Sequence, residues 1–266
     1  MRLKISHVTS YSYEHPVPYA LQQLRLRPKS RPEQNVISWD VDVEGGTRQV
    51  SFEDEHANSV DLISFEPGVT EIIVRCTGEV EISNVHGVVG RHTGFAPIWL
   101  FQSSTPLTRV GPQMRALLAT LTLGDNALDN LHALSSHILE MVPYSTDQAD
   151  SGLTAEQVLG IGHGVCQDHA HIFISGARQL GFPARYVSGY LMMDDRVEQD
   201  ASHAWAEAHI DGLGWVGFDV SNGMSPDERY VRVATGLDYN GAAPISGMRF
   251  GQGDENMLVK LHVEQQ

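Results

Sequence analysis

The residues most able to do chemistry lie in one stretch, residues 160–171, which reads GIGHGVCQDHAH. Three glycines in its first five residues make a flexible approach to Cys166. Apolar residues recur at steps of three and four from Ala170, and Gly181 and Pro183 follow, so a helix is predicted to begin close to Cys166. The unpaired N–H groups and positive dipole end of a helix start favour a thiolate, which is the nucleophilic form of cysteine.

A thiolate nucleophile needs a base and a group that orients the base, and residues 202–219 offer both. Residues 202–210 alternate strictly, which predicts a strand with His203 and Glu207 on one face. Residues 211–214 turn the chain, and a second strand leads to Asp219. With a three-residue loop, His203 and Asp219 face the same side of this hairpin. Such a loop is expected to place Glu207 opposite Asp219, so a bulge or twist must bring His203 and Asp219 together.

The chain order cysteine, histidine, aspartate gives each residue a chemical role. Cys166 is the candidate nucleophile, which attacks an acyl carbonyl carbon. His203 is the candidate base, which keeps the thiol deprotonated and later protonates the leaving group. Asp219 is the candidate acid that fixes the tautomer of the imidazole. The backbone N–H of Cys166 is an expected oxyanion donor. These roles predict an enzyme that works through a thioester, without a cofactor.

Two other classes of protein stay open on the same residues. The chain contains 13 histidines, so a cysteine and a histidine together are a weak signal. His163, Cys166, His169 and His171 form the pattern H-x2-C-x2-H-x-H, with sulfur and imidazole ligands of the kind that zinc accepts. Residues 166, 169 and 171 of one regular helix cannot all converge on a metal, so no metal site is expected. The second alternative is a non-catalytic peptide-binding module.

The elements around these residues divide the chain in two. Residues 1 to about 83 carry strand patterns, including 36–43, 60–65 and 72–82, and Cys76 falls on the apolar side of the last. Cys76 is therefore predicted to be a buried structural residue. Helical patterns follow at Pro112, at 126–142 and at the capping-box residues 154–157. The sequence predicts an α+β fold, with an N-terminal antiparallel β-sandwich-like domain at residues 1–104 and a catalytic domain at residues 105–266.

Composition and charge exclude several kinds of partner. A net charge of −15 argues against nucleic acid and against an anionic membrane surface. The two cysteines, Cys76 and Cys166, have very different surroundings, so a disulfide is not expected and a reducing compartment fits. The first residues lack the apolar core of a signal peptide, and no apolar run reaches membrane-spanning length. We therefore expect a cytoplasmic protein.

Four motifs carry a resemblance to a known family. They are GVCQDHAH at 164–171, GFPARYVSGY at 181–190, HAWAE at 203–207 and GWVGFD at 214–219. They resemble the core of the bacterial transglutaminase-like superfamily, and the match is strong over residues 144–223. The β-rich first ~80 residues resemble the N-terminal region that often precedes this core. Residues 229–234 and 238–239 resemble its C-terminal continuation.

The resemblance implies a papain-like fold with Cys166, His203 and Asp219 as its triad. It also implies a cysteine hydrolase or acyltransferase that acts on amide or isopeptide bonds of a peptide or protein. Tyr144 lies where the family often has an aromatic residue, and it is a candidate to bind substrate and to donate the second oxyanion hydrogen bond. Trp205 is a candidate wall of the substrate cleft, because its large ring could exclude water.

The sequence departs from the family pattern at two places. His169 stands where an aromatic or other apolar residue is expected. Val220 and Ser221 follow Asp219 where Pro-Thr is usual. Neither departure changes a triad residue, but His169 could alter the pocket.

Overall fold

A computed structural model describes residues 1–146 and 152–266 as an arrangement of mostly antiparallel strands with few helices. The strands are β1 (Arg2–Val17), β2 (Tyr19–Arg27), β3 (Gln34–Glu44), β4 (Gly46–Glu53), β5 (Ser59–Phe65), β6 (Val69–Ile82), β7 (Val88–Gly90), β8 (Ala184–Leu191), β9 (Glu198–Gln199), β10 (His203–Ile210), β11 (Gly214–Phe218), β12 (Tyr230–Gly236), β13 (Ile245–Phe250) and β14 (Glu255–Gln265). The helices are α1 (Pro112–Thr120), α2 (Ala127–Met141), α3 (Ala155–Ile161), α4 (Cys166–Gln179) and α5 (Tyr239–Ala242), with a 3₁₀ helix at Ile98–Gln102.

The N-terminal strands form two sheets that share one apolar core. The first sheet has the order β3-β6-β1-β14-β9, and the second has the order β13-β2-β5-β4. Side chains alternate along β1 and β2, so one face of each strand is buried. Tyr11, Leu24, Ile63 and Cys76 meet in the shared core. The predicted antiparallel β-sandwich is confirmed, and Cys76 is buried as expected.

The strand pairing crosses the boundary expected between residues 104 and 105. β14 pairs with β1 along almost its whole length, and β13 pairs with β2. In the opposite direction, β7 pairs with β11. β14 buries Leu261 and Val263 against Leu3 and Ile5 of β1, which explains why the end of the chain returns to the first sheet. The last two strands therefore complete the N-terminal sheets instead of extending the helical part.

The third sheet has the order β12-β8-β10-β11-β7, and α4 packs against it. Ala204, Ala206 and Ala208 of β10 face α4 in the main core, and their small side chains allow the helix to lie close to the sheet. The other helices cover α4 from outside through Met114, Leu131 and similar residues. This arrangement fixes the start of α4 against the end of the sheet where β10 begins and β11 stops.

The local helix signals of the sequence are confirmed. Pro112 occupies the first turn of α1, and the Asn126 side chain accepts hydrogen bonds from the first N–H groups of α2. Thr154 and Gln157 form the predicted capping box of α3. Gly162 ends α3 with a φ of 84°, a left-handed conformation that favours glycine. Within the described residues, no helix has the length and apolar character needed to cross a membrane.

Candidate active site

Cys166 is the first residue of α4, as the sequence predicted. Its thiol is free and half-buried. The backbone N–H of Val165 donates a 2.9 Å hydrogen bond to Asp168 Oδ2, so the carboxylate of Asp168 caps the helix start. Cys166 is the first helical residue, so no carbonyl of a preceding helical turn accepts a hydrogen bond from its backbone N–H. The sulfur and the candidate oxyanion donor therefore belong to the same residue.

His203 and Asp219 meet across β10 and β11, but not in the predicted register. The turn closes one residue earlier than expected, with Ile210 paired to Gly214, so Glu207 lies opposite Gly217 rather than opposite Asp219. Asp219 follows the pair formed by Ala206 and Phe218 and is therefore the diagonal neighbour of His203. Diagonal side chains on one face are within reach of each other. The expected bulge is not needed, since this register is continuous.

Asp219 is a fully buried carboxylate with three donors on one oxygen. Its Oδ2 accepts hydrogen bonds from His203 Nε2 at 2.6 Å, from Asn222 Nδ2 at 2.7 Å and from the Tyr230 hydroxyl at 2.8 Å. Burial alone would raise the pKa of Asp219, but the bonds from His203, Asn222 and Tyr230 lower it below the ordinary value. The carboxylate is therefore ionised and held in one orientation toward the imidazole.

The His203 imidazole lies between Asp219 and Cys166. Burial opposes the charged ring, but hydrogen bonds with Asp219 and Cys166 outweigh it and raise the pKa of His203 to about 10. Because Nε2 binds Asp219, Nδ1 is the ring nitrogen that is left for Cys166. An imidazolium at this place can stabilise a thiolate and can deliver a proton to a leaving group. A cysteine nucleophile would require such an arrangement.

The sequence reasoning did not identify Tyr230 and Asn222 as site residues. Both donate to Asp219, and Tyr230 also packs against His203 with ring centroids 5.9 Å apart. Asn222 follows the carboxylate by three residues, which is a spacing for local side-chain bonds that could have been noticed. Tyr230 lies 11 residues after Asp219 on a different strand, and only its place in the family's C-terminal continuation hinted at it.

The two candidate substrate-side residues have different surroundings. Trp205 is only 3% exposed and stacks on His203 at 6.2 Å between ring centroids, so it has little surface left for a substrate. Gly189 allows this packing, since a Cβ there would collide with the Trp205 ring and with the Val231 carbonyl oxygen. Trp205 thus shields the imidazole from water.

Tyr144 is 52% exposed and lies beside the nucleophile. It forms a parallel bridge with Gly164, two residues before Cys166. Burial raises the pKa of Tyr144, and the neighbouring Cys166 adds to this rise. Tyr144 therefore presents an exposed ring close to Cys166, and its roles in substrate binding and as an oxyanion donor stay predictions.

The histidines of the zinc alternative point to other partners. His169 uses Nε2 for the Val142 carbonyl oxygen at 2.7 Å and Nδ1 for Ser221 Oγ at 2.8 Å. His171 Nε2 accepts the backbone N–H of Tyr239 at 3.1 Å. In the part of the chain that the structure describes, no group of three histidine, cysteine or carboxylate side chains is arranged to hold a metal ion.

Glu207, which the hairpin prediction placed opposite Asp219, instead braces the third sheet. It is fully buried and binds Arg185 of β8 at 2.6 Å and Arg232 of β12 at 2.8 Å. Burial would raise its pKa, but the two arginines lower the pKa of Glu207 to about 2. The Arg185 guanidinium also lies 3.8 Å from the centroid of the Trp215 ring. The ion pairs of Glu207 with the two arginines therefore link β10, the strand that begins with His203, to β8 and β12.

Comparison with known families supports the resemblance seen in the motifs. Residues 115–220 match the transglutaminase-like superfamily, and residues 3–81 match the bacterial transglutaminase-like N-terminal region. The first match contains Cys166, His203 and Asp219. The chain therefore carries a transglutaminase-like core behind a bacterial transglutaminase-like N-terminal region.

Individual proteins extend this comparison. An uncharacterized protein of Mycobacterium leprae (strain TN) is 29% identical over 98% of this chain and 98% of its own length. An uncharacterized protein of Mycobacterium tuberculosis (strain ATCC 25618 / H37Rv) is 33% identical over a match that covers 50% of this chain and 46% of that protein. The crystal structure of a "putative cysteine protease" from Cytophaga hutchinsonii matches with a TM-score of 0.79 at 20% identity, over 100% of this chain and 91% of that one. At this identity the likeness establishes the papain-like fold.

Proposed function

We propose that this protein is a cysteine-dependent hydrolase or acyltransferase that acts on amide or isopeptide bonds of a peptide or protein. The observation that carries the proposal is the His203 imidazole, which is hydrogen-bonded to the buried Asp219 carboxylate and whose pKa is raised by Asp219 and Cys166 together. A base held between an ionised acid and a thiol is the arrangement that nucleophilic catalysis requires. The metal and binding-module alternatives give this arrangement no role.

The first half of the reaction forms the thioester. The Cys166 thiolate attacks the carbonyl carbon of the substrate, a C–S bond forms, and the carbonyl electron pair moves to oxygen. The Cys166 N–H donates to this oxyanion, and the Tyr144 hydroxyl is the proposed second donor. The His203 imidazolium then gives its proton to the leaving nitrogen as the C–N bond breaks. The product amine leaves, and the acyl group stays on sulfur.

The second half removes the acyl group. Neutral His203 takes a proton from water or from an acceptor amine, whose oxygen or nitrogen attacks the thioester carbon. The C–S bond breaks, the electron pair returns to the sulfur, and the ion pair with His203 is restored. Asp219 keeps the imidazole in the tautomer that serves both halves. Water gives hydrolysis and an amine gives transfer, so the faster acceptor decides the outcome.

A small activated ester tests the proposal without knowledge of the natural substrate. With p-nitrophenyl acetate, we expect a burst of p-nitrophenolate equal to the enzyme concentration and an acetyl adduct on Cys166 by intact mass. Adding methylamine should convert part of the acetate product into N-methylacetamide if an amine competes with water. A peptide library analysed in the same way would identify the natural acyl donor.

Cys166→Ala is the matched control, because it removes one small side chain at the end of a helix. It should abolish both the burst and the adduct while the melting temperature stays within a few degrees of the wild type. Turnover that persists in Cys166→Ala would contradict the proposal. An unreactive wild-type Cys166 together with unchanged binding of a peptide by all three triad variants would favour the binding module. We also propose that the protein is cytoplasmic and that its substrate is a peptide or a protein.

A further inference from the structure

His169 is a buried imidazole that uses both ring nitrogens. It is 1% exposed, its Nε2 lies 2.7 Å from the Val142 carbonyl oxygen, and its Nδ1 lies 2.8 Å from Ser221 Oγ. A carbonyl oxygen can only accept, so Nε2 carries the proton, and Nδ1 of the neutral ring accepts from the Ser221 hydroxyl. Burial lowers the pKa of His169, which agrees with a neutral ring. Both hydrogen bonds therefore have a fixed direction.

The two bonds connect the segments that carry the site. His169 lies three residues after Cys166 on α4. Val142 caps the C-terminus of α2 and leads through one proline to Tyr144, which pairs with Gly164 beside the candidate nucleophile. On the other side, Ser221 belongs to the tight turn that presents Asp219, closed by a bridge between Asp219 and Met224. One ring thus links the helix of the nucleophile to the segment of Tyr144 and to the turn of Asp219.

We infer that His169 and Ser221 are a positioning pair, which sets the distance between the Asp219 turn and the start of α4 and thereby the approach of His203 to Cys166. The inference rests on the proposed role of Cys166. The pair also gives the unexpected histidine at position 169 a partner, because its Nδ1 is hydrogen-bonded to the Ser221 hydroxyl. The hydrogen bonds of His169 go to Ser221 and Val142 and not to a triad residue, so we assign the pair a positioning role.

The test measures the rate of Cys166 alkylation by iodoacetamide against pH, in short pH-jump incubations read by peptide mass. The upper inflection of this profile marks loss of the proton from His203. Ser221→Ala leaves Nδ1 of His169 without its donor and loosens the Asp219 turn. We expect the upper inflection to fall by about 0.5–1 pH unit and the p-nitrophenyl acetate rate to fall about 3- to 10-fold. Ser221→Thr keeps a hydroxyl and should restore both values.

A second variant shows whether the two residues act as one unit. His169→Phe removes both hydrogen bonds and should lower the inflection at least as far as Ser221→Ala does. The double variant His169→Phe/Ser221→Ala should match His169→Phe alone, since residues in one hydrogen-bonded pair are not additive. Additive effects would overturn the inference, because they would mean that the two residues act separately.

His7→Phe is the matched control for loss of a buried histidine. His7 is also buried and bonded at both nitrogens, to Tyr190 and to Thr9 at 3.0 Å each, but it lies in the N-terminal sheet. We expect it to lower the melting temperature without moving the inflection, and Ser12→Ala, on an exposed serine, to change neither. An unchanged inflection in Ser221→Ala, or an equal shift in His7→Phe, would overturn the positioning role. If the wild type shows the inflection but no ester turnover, the proposed function fails while the pair is still tested.

Discussion

Replacing Asp219 with asparagine removes the charge that holds His203 but keeps the shape of the side chain. Asp219 Oδ2 lies 2.6 Å from His203 Nε2 in a fully buried setting, so no water replaces the lost charge. A hydrogen bond to a charged group contributes about 1.5–3 kcal/mol. Since about 1.4 kcal/mol equals one pKa unit or tenfold in rate, the pKa of His203 should fall from about 10 by about 1–2 units. Turnover should fall about 10- to 100-fold.

The assay combines two readouts on the Asp219→Asn variant. The upper inflection of Cys166 alkylation against pH reports the proton on His203, and the p-nitrophenyl acetate burst and steady-state rates report the two half-reactions. A fall smaller than that of Cys166→Ala is expected, because a thiolate and imidazolium pair persists with a weaker partner. Wild-type values for both the inflection and the rates would refute the reasoning that the buried carboxylate sustains the charged imidazole.

The same substitution should change the pH dependence of stability. The raised pKa of His203 contributes stability that is fully present below about pH 6.5 and is lost as the pH rises through about 10. The lowered pKa of Asp219 contributes stability that is lost as the pH falls below its ordinary value. Urea unfolding between pH 6 and 10 should therefore show a smaller alkaline loss in Asp219→Asn than in the wild type. Parallel curves would contradict this linkage.

Three further predictions concern the rest of the site. In the native state, iodoacetamide should label Cys166 and spare Cys76, because the Cys76 thiol is buried and its pKa is raised to about 12. Equal labelling rates of the two cysteines, read by peptide mass, would contradict this. Glu207→Gln should lower the free energy of unfolding by about 3–5 kcal/mol in urea titrations, because it leaves two buried arginines without their anion. A loss below about 1 kcal/mol would contradict a stabilising role of these ion pairs. Tyr230→Phe removes one hydrogen-bond donor to Asp219, so kcat should fall about 3- to 10-fold in steady-state kinetics while KM stays nearly unchanged. An unchanged kcat would contradict this prediction.

Local features of this site could be predicted from the sequence because their causes lie within a few residues. The helix start at Cys166 follows from the preceding glycines and the apolar period behind it, and the capping box of Thr154 spans only three residues. The alternation of β6 buried Cys76 as expected. That His203 and Asp219 face the same side of the hairpin followed from the alternation of side chains along the strands. This relation does not change when the turn moves by one residue on each strand.

Contacts between distant segments were decided only by the tertiary structure. The exact turn of the β10–β11 hairpin set the diagonal approach of His203 to Asp219, and no local pattern specified it. β14 pairs with β1 from the opposite end of the chain, since their apolar faces fit one core. His169 and Ser221 are 52 residues apart in sequence but 2.8 Å apart in space. The sequence by itself determined which residues can react and where the helices and strands begin, because these features depend on neighbours along the chain. The packing of the whole fold decided which side chains hold the reactive residues in place.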